Sequence, residues 1–141
     1  MTSSSCIFCR IVSGEIPASV VYRDDRVIAF LDIAPVNPGH LLVIPVQHAA
    51  TLGEMAPADG ERVFATAQRL AAALRRSGIR CEGINLFLAD GAIAGQEVFH
   101  VHLHVVPRFA GDAVRFSWPR KQAERGTLDA HAASIREAAG A

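Results

Sequence analysis

Three histidines at alternate positions, His100, His102 and His104, sit inside an otherwise apolar run from Val98 to Val106. Side chains spaced by two share one face of a β-strand, about 6.5–7 Å apart along it. One face therefore carries Val98, His100, His102, His104 and Val106, and the other carries Phe99, Val101, Leu103 and Val105. The second set is what a strand with one side in a core looks like. Folding alone does not require three imidazoles on the first.

Three readings compete for those histidines. Accidental surface placement would explain one of them but is a poor account of strict alternation. A metal site is a second reading, since histidines at i and i+2 on a strand can bind zinc or another transition metal. Nucleophilic attack by imidazole on a phosphorus or acyl centre is the third. The preceding loop, Ala94-Gly95-Gln96-Glu97, favours the third, because glycine lets a phosphate approach backbone N–H groups closely.

The rest of the chain supplies a compact setting. With 141 residues, half of them apolar and a fifth charged, a single domain spanning 1–141 is expected. Fourteen basic residues balance fourteen acidic ones, so no bulk field draws the chain to nucleic acid or an anionic membrane. Met1 to Ser5 is short and polar, with no secretory pattern, and no segment reaches membrane-spanning length. Three cysteines, Cys6, Cys9 and Cys81, in a chain that reads as cytoplasmic argue against a disulfide framework.

Short strands are predicted at Val20–Tyr22, Val27–Leu31, His40–Pro45 and Ile84–Leu88, ahead of the histidine strand. Cys6 to Ser13 leads into a loop signal at Gly14-Glu15-Ile16-Pro17. A long helix is predicted from Pro57 to Arg76, with Val63, Ala67, Leu70, Ala71 and Leu74 on one face and Gly78 just past its end. Residues 109–126 read as irregular, and Thr127 as the cap of a short last helix carrying Leu128 and Ile135. The order β-β-β-α-β-β-α points to an α+β fold on an antiparallel sheet of about five strands.

Gly95 to Arg108, with its His-x-His-x-His core, resembles the signature of the histidine triad (HIT) superfamily. Phe30 to Pro35, Pro38 to Pro45 with His48 following, and Cys6 to Val12 with Gly14 to Pro17 resemble the same family in the same order. The match covers about residues 6–108 and is nearest to the Hint-like nucleotide-binding branch. That resemblance implies hydrolysis or transfer at the α-phosphorus of purine nucleotide derivatives. His102 would attack phosphorus and form a nucleotidyl-histidine, with His40 supporting the imidazole cluster. His104, Gln96 and the N–H groups of Gly95, Gln96, Glu97 and Val98 would hold phosphate oxygens. Asp32 would accept from the ribose hydroxyls, with Phe30 and Ile33 walling the purine. No catalytic metal is implied.

Cys6-x-x-Cys9 alone reads equally as free thiols or as metal ligands, with a redox pair a further reading. In zinc-bearing members of the branch the remaining ligands correspond to His48 and His100, which implies a structural Cys₂His₂ zinc site. The resemblance also implies a homodimer formed through the long helix and an edge strand, with Trp118 a candidate to reach the partner. Three departures bear on specificity: Ala89-Asp90 where an Asn is common, Glu97 where Ser or Thr is common, and no lysine at Val46-Gln47-His48. Phosphoramidates of adenosine or guanosine monophosphate are the leading expected substrates, and dinucleoside polyphosphates the second. A nucleotide-binding regulatory protein with incidental turnover is the rival from another class. Arg75, Arg76 and Arg80 read as solvated charges around the helix end, His131 as solvent-facing, and Cys81 as a buried apolar residue.

Overall fold

Residues 5–140 are described by a computed structural model of the chain. The polar start at residues 1–4, read above for the absence of a secretory pattern, falls outside them. The elements in order are α1 (Ile7–Val12), β1 (Val20–Arg23), β2 (Val27–Leu31), β3 (Leu41–Pro45), α2 (Pro57–Arg76), β4 (Gly83–Phe87), β5 (Leu103–Arg108) and α3 (Arg125–Ala139). Short 3-10 turns occupy Leu52–Glu54 and Ala92–Ala94. The five strands form one antiparallel sheet in the order β1-β2-β3-β5-β4. This is an α+β architecture, as expected.

Alternation along the central strands divides the core in two. Val27, Ala29, Leu41, Val43, Leu103 and Val105 face α2 and pack on its Val63, Ala67, Leu70 and Leu74. Ile28, Phe30, Leu42 and Ile44 face the other way, onto Phe8 and Val12 of α1. His104 stands opposite Leu42 in the ladder, so it points to the α1 side while Leu103 points to α2. α2 begins with Pro at its first turn and carries Arg75 and Arg76 in its last, which suits both ends. Gly78, at φ +85°, supplies the left-handed step just past its end.

Three sequence expectations need correction. The segment from Cys6 to Ser13 is not only a lead into a loop but holds α1, whose cap is the Cys6 sulfur, accepting from the Cys9 N–H at 3.4 Å. Cysteine is a rare cap, and six residues are too few to show a helical period. The histidine strand is shorter than Val98–Val106, because β5 starts only at Leu103. In the β3–β5 register Pro45 would face Val101, and proline has no N–H to continue the ladder. Val101 instead donates to Ala49 O at 2.8 Å, and His100 is buried completely. Finally, α3 is fifteen residues long with Glu124 as its cap, and Thr127 lies inside it. The Leu128 N–H already bonds to Glu124 O, and a glycine in the first turn costs few helix bonds. All of α3 is exposed, Leu128, His131 and Ile135 included.

Candidate active site

His102 and His104 meet on the α1 side of the sheet, with ring centroids 5.0 Å apart. His102 is held from two directions. Its Nδ1–H donates to the His100 carbonyl at 2.8 Å, and the edge of Phe8 packs against its ring at 5.2 Å and 83°. That tautomer leaves the lone pair on Nε2.

A different chain of bonds fixes His104. The Val36 N–H donates to His40 Nδ1 at 3.2 Å, so the His40 proton sits on Nε2. His40 Nε2 then donates to His104 Nδ1 at 2.9 Å, with Asp32 Oδ2 3.6 Å away on the same side. His104 therefore carries its proton on Nε2. Burial lowers the pKa of His40 although Asp32 acts to raise it. Burial, joined by the charges of His102 and His40, pushes His104 down to about 4. His40 and His104 are thus neutral at pH 7, and the donor–acceptor order of the chain is set. Two residues apart, His102 presents a ring-nitrogen lone pair and His104 an N–H donor.

The flanking loops are tied down by backbone bonds. Gln96 is buried; its Oε1 accepts from the Gly91 N–H, and its Nε2 donates to Ala50 O at 2.7 Å and Val98 O at 3.1 Å. To hold a phosphate oxygen it would have to release one of those carbonyls, and the Val98 bond is the longer. The Gly95 and Gln96 N–H groups close the turn on Ala92 O and Gly91 O. Among the described residues the N–H groups of Glu97 and Val98 bond to no backbone carbonyl, so they are the turn's remaining donors. Asp90, at the Ala89-Asp90 departure, accepts from the Leu52 N–H at 2.9 Å.

The expected nucleoside contacts separate by burial. Asp32 accepts from the Ala34 N–H through Oδ1, leaving Oδ2 toward His40. Ile33 is wholly exposed on the loop before β3, whereas Phe30 is 3% exposed and belongs to the core beneath it. Glu97 is exposed and, with Ser5, Cys6, Ile7, His48, Val98 and Phe99, lines an open cleft of ≈ 330 Å³.

Behind His102 lies a second cluster. The ligand atoms of Cys6, Cys9, His48 and His100 lie within 4.8 Å of one another. His100 Nδ1 is 3.4 Å from Cys6 Sγ, 3.6 Å from Cys9 Sγ and 3.2 Å from His48 Nδ1, and Cys9 Sγ is 3.3 Å from His48 Nδ1. A tetrahedron with ordinary Zn–S and Zn–N bonds has N···N and S···N edges of about 3.3–3.6 Å. His100 Nε2 donates to Pro45 O at 2.8 Å, which turns the Nδ1 lone pair inward. Burial pushes the His100 pKa down to about 4 despite that bond, so the ring is neutral, as a ligand must be. The four donors fit a closed Cys₂His₂ metal site. Asp32, His40 and His104 also converge, but the proton between the two rings accounts for that grouping.

Two contributors escaped the sequence reading. Phe8, whose edge meets Phe30, His100 and His102, is the floor under the imidazoles; only its place between two cysteines could have signalled it. Arg108 grips Asp112 through two bonds of 2.7 and 2.8 Å, and Asn37 donates to the same carboxylate and to Pro107 O. The Arg108 guanidinium holds the Asp112 carboxyl well below the usual range. This network joins the Pro-rich loop to the end of β5. Cys81 is half-buried against the main core, and Arg80 pairs with Glu82.

The profile of the HIT domain matches residues 13–111. The chain belongs to the HIT family. A HIT-like protein of Borreliella burgdorferi is 48% identical over 112 residues, 79% of this chain and 81% of the relative. Among solved structures, a Zn-bound histidine triad family protein from Mycobacterium smegmatis is 42% identical, with a TM-score of 0.76 over 95% of this chain and 97% of that one. A histidine triad nucleotide-binding protein from Candida albicans superposes at TM-score 0.86 and 28% identity, covering 96% and 98%. In this HIT protein, then, the fold and the triad's family are as its sequence implied.

Proposed function

We propose that this HIT protein is a nucleotide hydrolase or transferase acting at the α-phosphorus of purine nucleotide derivatives, with His102 as nucleophile. The observation that carries this is the 2.8 Å bond from His102 Nδ1 to the His100 carbonyl, which leaves Nε2 as the attacking atom. Attack there forms a P–N bond and expels the leaving group. His104 Nε2–H and the Glu97 and Val98 N–H groups stabilise the oxygens that gain charge. Water then cleaves the P–N bond and releases the nucleoside monophosphate. Asp32 and Ile33 receive the ribose and the base. The Candida neighbour, described as nucleotide-binding, supports this ligand class.

The leaving group is an amine, making phosphoramidates the preferred substrates over dinucleoside polyphosphates. A polyphosphate leaving group needs a cation, and Arg108, beyond the triad, is committed to Asp112, Asn85 and Val114 O. The exposed Glu97 adds negative charge beside the phosphate turn, which favours a cationic leaving group. The Cys6, Cys9, His48 and His100 cluster holds structural zinc, as the Zn-bound mycobacterial neighbour suggests, and pins α1 against the triad. The working unit is a homodimer, for which β4 offers an edge of the sheet with exposed Leu86 and Phe87, and α2 an exposed Phe64. Trp118, also exposed, lies on the irregular segment between β5 and α3. A thiolate-bound metal site suits a reducing, cytoplasmic setting.

The test is turnover of an adenosine phosphoramidate and a diadenosine polyphosphate by the wild-type chain and by His102→Ala. The phosphoramidate should be cleaved faster, and the variant should lose turnover while retaining nucleotide affinity. Undiminished turnover by the variant would contradict His102 as nucleophile, and binding without turnover by the wild-type chain would favour a nucleotide-binding regulatory protein.

A further inference from the structure

We propose that Cys6 is an oxidation site whose conversion to a Cys6–Cys9 disulfide expels the bound metal and slackens the hold on His102. The inference rests on the zinc and hydrolytic readings above and concerns the regulation of that same site.

The two sulfurs lie within 4.8 Å of each other but are not equally reachable. Cys9 is 4% exposed, while Cys6 is only part-buried and opens onto the cleft it shares with Ser5, Ile7, His48, Glu97, Val98 and Phe99. Exposure selects which thiolate an oxidant meets first. The Cys6 thiolate attacks one oxygen of a hydroperoxide, the O–O bond breaks, and a sulfenic acid forms with release of hydroxide, or alkoxide from an organic peroxide. The Cys9 thiolate then attacks the Cys6 sulfur, expels hydroxide and forms the S–S bond. Two electrons pass from the sulfur pair to the peroxide, whose two oxygens leave as hydroxide (or one as alkoxide) and are protonated by the buffer. Both sulfurs leave the metal, and two imidazoles alone hold zinc weakly.

His100 carries the effect onward. Its ring belongs to the cluster, and its carbonyl is the acceptor that fixes the His102 tautomer at 2.8 Å. Phe8, between the two cysteines in sequence, packs on both His100 and His102. The thiol pair therefore touches the nucleophile through a backbone carbonyl and through an aromatic floor. His100 acts here as a positioning residue, because it directs His102 without meeting substrate.

The experiment uses the full-length, metal-loaded chain in a Cys81→Ser background, so that only the pair can react. Hydrogen peroxide should consume both thiols, lower the mass by two hydrogens and release the metal to a chromogenic chelator. An early dimedone adduct should map to Cys6 and not to Cys9. Turnover should fall about 10–100-fold, the range for loss of a supporting contact, and the hydrogen-bonded His102 Nδ1–H proton signal should disappear. A thiol reductant plus zinc should restore all of these. The proposal is overturned if the purified chain holds no metal. It is equally overturned if the thiols survive peroxide that oxidises glutathione, if the disulfide forms with metal retained, or if the His102 signal is unchanged after release. An untreated chain that never turns over a nucleotide would sink the hydrolytic reading, while the thiol, metal and proton signals still decide the oxidation site.

Discussion

His102 and His104 stand two residues apart on one face, yet their ring protons are steered to opposite nitrogens. A backbone carbonyl takes the Nδ1 proton of His102, whereas His40 donates to Nδ1 of His104. His40→Ala removes that donor and lets His104 present a lone pair in place of an N–H. Steady-state kinetics should show kcat lower by about 10–100-fold with KM little changed. A variant with unaltered kcat would mean that the relay does not set the tautomer. The three alternating histidines were plain in the sequence, because a period of two is visible in nine residues. Their tautomers were not, since Val36, Asp32 and the His100 carbonyl act through distances that spacing does not encode. Gln96 shows the same gap: its amide was expected on phosphate, and it is bonded to three backbone groups, of which Ala50 O lies near it only after folding.

Element boundaries followed local chemistry wherever it was strong. β2 and α2 coincide with their predicted ranges, the first from an unbroken apolar run and the second from its helical stripe and proline start. α1 was missed because its stabilisation comes from packing Phe8 and Val12 on the sheet, which no six-residue pattern announces. The turn into β3 depends on Gly39, at φ +89°, where a Cβ would stand 3.1 Å from Ile79 Cγ2 and Leu74 Cδ2. Gly39→Ala should cost about 1–3 kcal/mol from backbone strain, with crowding in addition, read from chemical denaturation. Gly126→Ala, in α3 with open space around it, should be neutral or should raise helicity. Similar stabilities for the two variants would contradict the description of the Gly39 turn.

At the scale of the molecule, the sheet is covered by α2 on one side and by α1 with the histidine clusters on the other. Placing imidazoles in that second layer ties stability to pH. Burial pushes the folded His104 down to about 4 from the ordinary imidazole value of 6.5. Between those values the unfolded chain binds more protons, so stability rises with pH through the window and is lost as pH falls from about 6.5 toward 4. The slope from one such group is at most about 1.4 kcal/mol per pH unit, and His40 acts in the same direction. Urea unfolding at pH 7 and pH 5 should show the loss, and His104→Gln should flatten the difference. A pH-independent midpoint would contradict a neutral, buried ring. The proposed function assigns the chemistry to one atom, His102 Nε2, and trapping its product tests that assignment directly. A reaction with an adenosine phosphoramidate, quenched in base within a single turnover, should yield chain heavier by one adenylyl group, located on His102 by peptide mass mapping and carrying a phosphorus–nitrogen signal. Rapid turnover without that adduct, or an adduct on any other residue, would contradict the account.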